Sequence, residues 1–209
     1  MKPATGNPCL PSRSLLISAS IFFILFSVAC NSNYTASKKK GYFRIEFPEK
    51  KYQEFDKPGY PYKFEYPLYA NVIKDSTFFN DKAGDWWINI DIPRFNGRIH
   101  ISYKPINAQN KFDSLVRDGF KMAYKQHDDV STGIDDSLMR TPNGIDGFYF
   151  SLKGNTATAN QFFLTDSTKN FLRGALYFDA TPNEDSLGIV NEFLKKDLLH
   201  LINSLQWKN

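Results

Sequence analysis

Two segments in the middle of the chain alternate strictly between apolar and polar residues. In the first, Trp86, Ile88, Ile90 and Ile92 share one phase, and Trp87, Asn89 and Asp91 share the other. In the second, Ile99, Ile101 and Tyr103 alternate with Arg98, His100 and Ser102. A period of two is typical of a half-buried strand. Residues 93–97 separate the segments, so the pattern predicts an antiparallel hairpin with Trp86 on the core face and Trp87 on the other.

Shorter strand-like runs lie on both sides of this hairpin. Three of them precede it, at residues 42–47, 62–66 and 69–74, with nearby prolines at Pro48, Pro58, Pro61 and Pro67. Proline lacks the N–H that a sheet ladder needs, which favours edge positions for these runs. Three more follow, at residues 147–152, 160–165 and 171–180, separated by polar turns at 153–159 and 166–170. The second group predicts an antiparallel meander.

Two segments show the three- and four-residue spacing of amphipathic helices. The first apolar stripe comprises Phe112, Leu115, Val116, Gly119, Phe120 and Ala123, and the second comprises Leu187, Val190, Leu194, Leu198, Leu201 and Leu205. Thr181-Pro182-Asn183-Glu184 precedes the second stripe as a capping-box sequence with proline at the first helical position. Residues 41–209 are predicted to form a single α+β domain, a largely antiparallel sheet flanked by two amphipathic helices. This order of elements resembles the Mog1/PsbP-like α/β/α sandwich.

The N-terminus has the pattern of an export signal. Lys2 and Arg13 precede an uncharged apolar run at residues 15–29, and Cys30 follows it directly. As a helix the run would span about 22 Å, less than the hydrocarbon thickness of about 30 Å, which favours a signal peptide over a permanent span. Ser27-Val28-Ala29-Cys30 resembles a bacterial lipobox, and the alternative is an ordinary signal with a chance cysteine. We predict a lipoprotein signal peptide at 1–29, lipid attachment at Cys30 and a polar tether at 30–40.

Charge and cysteine content exclude several classes of function. The chain has 209 residues with 26 basic and 22 acidic side chains, a net charge of +4. This balance lacks the basic excess that neutralises a phosphate backbone, so no nucleic-acid partner is predicted. Both cysteines, Cys9 and Cys30, lie in the first thirty residues. The rest of the chain therefore offers no disulfide, thiolate nucleophile or zinc-thiolate site.

No known catalytic signature is present in the mature chain, and no cofactor or metal is predicted. His100 and Ser102 lie on the polar face of one strand, where a nucleophile–base pair is conceivable but lacks an orienting acid. The acidic cluster Asp128-Asp129 and Asp135-Asp136 near His127 has oxygen ligands for a hard cation. Its spacing matches no known metal loop, which favours a solvated loop after the helix.

The segment from Lys153 to Gln161 is small, neutral and polar between two aromatic strands. It is either a long hairpin loop or a surface on which another protein docks. We predict a partner surface at this end of the meander, made by Gly154, Asn155, Asn160, Gln161, Asp166 and Thr168 and carrying few charges. Trp87 is a possible aromatic anchor if no helix covers its face of the sheet.

Several segments resemble the gliding motility lipoprotein GldD family. They are residues 41–48 (GYFRIEFP), 101–107 (ISYKPIN), 154–169 (GNTATANQFFLTDSTK), 182–186 (PNEDS) and 205–207 (LQW). They occur in the family's order across nearly the whole mature domain, and the longest contains an unusual run of small polar residues.

The resemblance implies a lipid-anchored, non-enzymatic accessory component of the gliding motility and type IX protein secretion machinery. Its expected partners are other envelope proteins of that machinery and, through the N-terminal lipid, a membrane. No catalytic residue comes with the resemblance. No acidic export tag follows Cys30, which favours an outer-membrane position facing the periplasm. The alternative function is a periplasmic lipoprotein that binds a small ligand or polysaccharide through exposed aromatic residues.

Overall fold

A seven-stranded antiparallel sheet is the centre of the fold. The computed structural model describes residues 44–208 except 75–76, 79–80, 83 and 126–129. In chain order the strands are β1 (Tyr52–Phe55), β2 (Tyr62–Pro67), β3 (Asn71–Lys74), β4 (Thr77–Phe78), β5 (Asp81–Lys82), β6 (Ile88–Ile92), β7 (Gly97–Pro105), β8 (Ser131–Arg140), β9 (Asp146–Gly154), β10 (Asn160–Thr165), β11 (Asn170–Phe178) and β12 (Gln206–Trp207). The helices are α1 (Phe112–Lys125) and α2 (Glu184–Ser204). The seven strands lie in the order β3-β6-β7-β11-β10-β9-β8, while β1, β2 and β12 form a separate small sheet.

The predicted hairpin is formed by β6 and β7. Ile88 pairs with Ile101 and Ile92 with Gly97, so the alternating isoleucines lie on one face. A 3₁₀ turn at Pro93–Phe95 joins the strands, and Asn96 closes it with a left-handed backbone, φ 47°. Asparagine tolerates this conformation better than most residues. The meander prediction is also confirmed, because β9, β10 and β11 pair in succession.

The two helices cover opposite faces of the sheet. On β10, Phe162 and Leu164 belong to the core beneath α2, whereas Phe163 lies between them in the chain and packs in the core beneath α1. The second stripe is buried from Val190 onward, and Leu187 is only half-buried. The predicted α+β fold, an antiparallel sheet flanked by two amphipathic helices, is therefore confirmed. Residues from Arg44 on form one compact unit.

One predicted strand is not formed over its described residues, and five of the observed strands are not predicted by the sequence pattern. Residues 44–47 of the first predicted strand are not in a sheet, and Tyr42 and Phe43 lie outside the described residues. Phe47 instead stacks on Phe193 of α2 with ring centroids 4.4 Å apart. The Arg94 guanidinium donates to the Glu46 carbonyl at 2.6 Å. These contacts hold the segment against α2 and the β6–β7 turn instead of in a sheet.

The strands that the pattern does not predict are β1, β4, β5, β8 and β12, of which β8 is the longest. The sequence favours a solvated acidic loop in the region of β8, yet its residues pair with β9 along the strand, for example Leu138 with Phe148. Six of its ten side chains are exposed. A strand that is exposed on both faces has no apolar alternation, which is why the pattern missed it.

A buried carboxylate connects α2 to the segment that enters the domain. Asp197 is fully buried, and the Lys50 ammonium lies 2.6 Å from its carboxylate. The hydroxyl groups of Tyr52 and Tyr69 donate hydrogen bonds to its two oxygens. Burial, together with the nearby Asp197 charge, raises the pKa of both tyrosines. Lys50 also donates to the Phe193 carbonyl at 2.9 Å, so every polar group of the cluster has a partner.

The signal peptide, Cys30 and the tether at 30–40 lie outside the described residues. Within the described part of the chain, no helix is long and apolar enough to cross a bilayer.

Candidate functional site

A groove of about 510 Å³ lies between the N-terminal half of α2 and the β9–β10 hairpin. We call it the α2 groove. It is lined by Asp135, Ser151, Leu152, Lys153, Gly154, Thr156, Ala159, Phe178, Asn183, Glu184, Leu187, Gly188, Asn191, Glu192 and Lys195. Its volume is in the range of sites that hold a ligand or several side chains of a partner.

The wall of the α2 groove that the β9–β10 hairpin forms requires a glycine at position 154. Gly154 has a φ of +94°, and a Cβ there would lie 2.9 Å from the Val130 carbonyl oxygen and 3.0 Å from the Thr132 nitrogen. Both the backbone conformation and the close approach of β8 exclude a side chain. The loop then closes through a hydrogen bond from the Leu152 N–H to the Ala159 carbonyl, 2.9 Å long. The small residues of this segment thus let it fold tightly beside the helix.

The other wall of the groove is formed by α2, which begins one residue after its N-cap. The Asn183 side chain accepts from the Ser186 N–H at 3.0 Å, so Asn183 is the N-cap and the helix starts at Glu184. The prediction that Pro182 takes the first helical position is wrong, because this amide cap places the proline outside the helix. Asn155 of the hairpin accepts from the Glu184 N–H at 2.9 Å. One predicted surface residue therefore fastens the two walls together.

The groove combines an apolar floor with charged walls. Lys153 pairs with Asp135 at 2.8 Å, and Lys195 lies 3.9 Å from Glu192 on the helix. The sequence predicted few charges at this end of the meander, but β8 and α2 bring acidic and basic side chains to it. Gly188 faces open space, since no atom lies within 4 Å of a Cβ built there. This chemistry suits a polypeptide segment that offers both apolar and polar side chains.

The six predicted surface residues do not form one surface. Gly154 and Asn155 lie at the α2 groove, whereas Asn160 and Gln161 are each only 1% exposed. Asn160 donates to Asn191 at 2.8 Å, and Gln161 on the opposite face accepts from an arginine. Asp166 and Thr168 follow the far end of β10, about 17 Å away at 3.3–3.4 Å per residue. Of the six residues, only Gly154 and Asn155 lie beside the α2 groove, because a meander places successive turns at opposite ends of its strands.

Comparison with known proteins identifies the family. The sequence model described as gliding motility lipoprotein GldD matches residues 31–207. The chain belongs to the GldD family. The resemblance seen in the sequence is thereby confirmed, and with it a lipoprotein of the cell envelope that has an accessory role in gliding motility.

None of the curated proteins matches the chain. Among solved structures, the chain is similar to the solution structure of cyanobacterial PsbP (CyanoP) from Synechocystis sp. PCC 6803 at 12% sequence identity. The match has a TM-score of 0.44 and covers 79% of this chain and 98% of that chain.

In this GldD-family chain, Trp87 lies beside α1 rather than at a deep pocket. Its indole N–H donates to the Tyr103 carbonyl at 2.9 Å, and its ring meets the His100 ring edge-on. The adjacent cavity is about 60 Å³, room for about two waters and too small for a sugar. The Tyr103 side chain packs in the core on the other face of the sheet. The small cavity gives no support to a polysaccharide site at Trp87.

The sequence offers two candidates for other chemistry, His100 for catalysis and the acidic cluster near His127 for metal binding. His100 is buried, and its Nδ1 lies 2.7 Å from the side-chain oxygen of Asn89. A catalytic histidine commonly has a carboxylate at this position, whereas His100 has an amide. Asp136 accepts from the Tyr124 hydroxyl at 2.7 Å. His127, Asp128 and Asp129 lie outside the described residues. Elsewhere in the described ranges, no three metal-ligating side chains are grouped.

Asp166 organises the β10–β11 turn. Its carboxylate accepts hydrogen bonds from the N–H groups of Thr168, Lys169 and Asn170 and from the Asn170 side chain. Partial burial acts to raise the pKa of this carboxyl, but the four hydrogen bonds outweigh it and lower the pKa to about 2. Such an arrangement is typical of a structural turn, in which the charged form is held by the backbone.

We expect Asp166→Ala to lower the unfolding free energy by about 1–3 kcal/mol, because three turn N–H groups lose their acceptor. The exposed control Thr168→Ala should change it by less than about 0.5 kcal/mol. A carboxyl whose pKa is lowered by folding stabilises above its unfolded pKa and loses that effect as the pH falls. Urea titrations should therefore show the difference between wild type and Asp166→Ala shrinking from about pH 4 to about pH 2. An equal difference at both pH values would contradict this role.

Proposed function

We propose that this GldD-family chain is a lipid-anchored, non-enzymatic accessory component of the gliding motility and type IX secretion machinery. The observation that carries the proposal is the family match, which spans the mature chain from the residue after Cys30. We place the lipid on Cys30 and the domain on the periplasmic side of the outer membrane. The polar tether and the missing acidic export tag support that placement.

We further propose that the α2 groove is where the chain contacts another envelope protein. The first two turns of α2 extend beyond the core, with residues 184–186 exposed and Leu187 half-buried. Burial of apolar area by a partner would stabilise the complex by about 25 cal/mol per Å². The charged pairs at the rim would set the orientation of the partner more than its affinity.

A matched pair of variants tests this proposal. Gly188→Arg places a long charged side chain in the α2 groove at a position with open space. It also replaces glycine inside a helix, which favours folding by up to about 1 kcal/mol. The control Ile189→Arg changes the next residue, which is exposed and does not line the groove.

The measurement is recovery of envelope proteins with the tagged, full-length lipoprotein after cross-linking in native cells. We expect Gly188→Arg to reduce recovery of gliding and secretion components at least tenfold, while Ile189→Arg keeps it. Recovery of only unrelated envelope proteins by the wild type would contradict the proposed function. Equal recovery by both variants would contradict the groove as the contact site and leave the function standing.

A further inference from the structure

The edge strand β8 has a neighbouring strand on one side only among the described residues. It is the last strand of the seven-stranded sheet and pairs only with β9 among the described strands. In an antiparallel ladder, alternate residues direct their N–H and C=O groups away from the paired neighbour. The outer side of β8 therefore carries a row of backbone donors and acceptors with which another strand can pair.

Few of the usual edge protections apply to β8. It has ten residues and no proline, whereas the opposite edge, β3, has four residues. Its one register shift lies near the start, between Ser131 and Gly133, so the remainder runs regularly. Leu138 is 74% exposed on this strand, more than any other large apolar side chain in the described ranges. An exposed apolar side chain on a long open edge marks a surface for strand addition.

A second copy of the chain does not suit this edge. Asp135 and Asp136 lie at the middle of β8. Residues that face each other across an antiparallel pair lie on the same face of the sheet, and successive residues lie on opposite faces. The two most central registers of a β8–β8 pair therefore place either Asp135 or Asp136 opposite its own copy. Like charges directly opposite each other destabilise a pair of strands, so the acidic centre selects against self-pairing.

The side chains of β8 also indicate which kind of partner segment would fit beside it. Pairing with Phe148 and Phe150 places Leu138 and Asp136 on the α1 face of the sheet, two residues apart. Asp135 on the other face is already paired with Lys153 at 2.8 Å. Asp136 accepts only a tyrosine hydroxyl and has no ion pair among the described residues. The α1 face of β8 therefore presents a carboxylate that has no ion pair among the described residues and, two residues away, an exposed leucine.

We propose that β8 accepts an extended segment of another protein that adds a strand to the sheet and places a basic side chain beside Asp136 and an apolar one beside Leu138. Backbone hydrogen bonds would supply the affinity and the two side chains the register. Asp135 of β8 lines the α2 groove, but Asp136 and Leu138 lie on the opposite face of the sheet, and the test at Asp136 does not depend on the proposed function.

The probe is a ten-residue peptide, Thr-Lys-Thr-Val-Thr-Lys-Thr-Val-Thr-Lys, compared with the same peptide carrying glutamate in place of lysine. Hydrogen exchange of the purified full-length lipoprotein is measured at millimolar peptide. We expect the lysine peptide to slow exchange in residues 131–140 at least fivefold and the glutamate peptide to leave it unchanged. Asp136→Lys should reverse this preference, while the exposed control Asp179→Lys should keep it.

Three results would overturn the proposal. The first is equal protection of β8 by both peptides, and the second is protection by neither. The third is a dimer in sedimentation of the protein alone whose formation slows exchange in residues 131–140, since the occupant would then be a second copy.

Discussion

Asp197→Ala is expected to lower the unfolding free energy by about 3–5 kcal/mol, the cost of removing one partner from a buried ion pair. The fully buried carboxylate accepts from two tyrosines and lies 2.6 Å from the Lys50 ammonium. Without it, the ammonium faces the aromatic ring of Phe193, 3.3 Å from its centroid, with no counter-charge. Because Lys50 precedes β1, this change is expected to loosen the segment that leads into that strand.

The measurement is urea unfolding at pH 7, followed by tryptophan fluorescence. Glu192→Ala is the matched control, since it removes an exposed carboxylate from the same helix that lies 3.9 Å from its lysine. Glu192→Ala should lower the unfolding free energy by less than about 0.5 kcal/mol. An Asp197→Ala protein within about 1 kcal/mol of wild type would show that the cluster does not hold the N-terminal segment on α2.

Cys30→Ala is expected to abolish lipid attachment and release of the signal peptide. The sulfur of Cys30 is the proposed acyl acceptor, and cleavage directly before it requires the modified cysteine. The retained fifteen-residue apolar run is short for a stable membrane anchor, whereas two or three acyl chains hold a protein firmly. The variant should therefore be mislocalised, with gliding lost although the domain itself is unchanged.

Labelling of cells with a radioactive fatty acid measures this directly. Cys9→Ala is the control, because it removes the chain's other cysteine and leaves the proposed lipobox intact. We expect wild-type label on Cys9→Ala and background label on Cys30→Ala. Equal label on wild type and Cys30→Ala would rule out the lipoprotein interpretation of this cysteine.

Elements with one buried face could be predicted from the sequence. The β6–β7 hairpin follows from its alternating isoleucines, whose side chains are all buried on one face. The buried part of α2 follows from the predicted apolar stripe, whose residues are buried from Val190 onward. In both elements the buried side chains recur at the regular spacing of a strand or a helix, and this spacing can be read from the sequence.

The candidate site could be predicted only in part. Gly154 and Asn155 were found because small polar residues are unusual between aromatic strands. The opposite wall, at Leu187 and Gly188, lies more than thirty residues further along the chain and carries no local signal of its proximity. Asp197 was missed for another reason, since a single carboxylate inside an apolar helix stripe gives no indication of the lysine and tyrosines that reach it.

We propose that the chain supports gliding and secretion by holding another envelope protein in the α2 groove. The most direct measurement is gliding speed and export of secreted cargo in a strain whose only copy carries Gly188→Arg, with an Ile189→Arg strain beside it. Immunoblotting confirms equal amounts of both proteins in the membrane fraction. We predict that the Gly188→Arg strain neither glides nor secretes and that the Ile189→Arg strain does both. Wild-type gliding and secretion by the Gly188→Arg strain would contradict the claim.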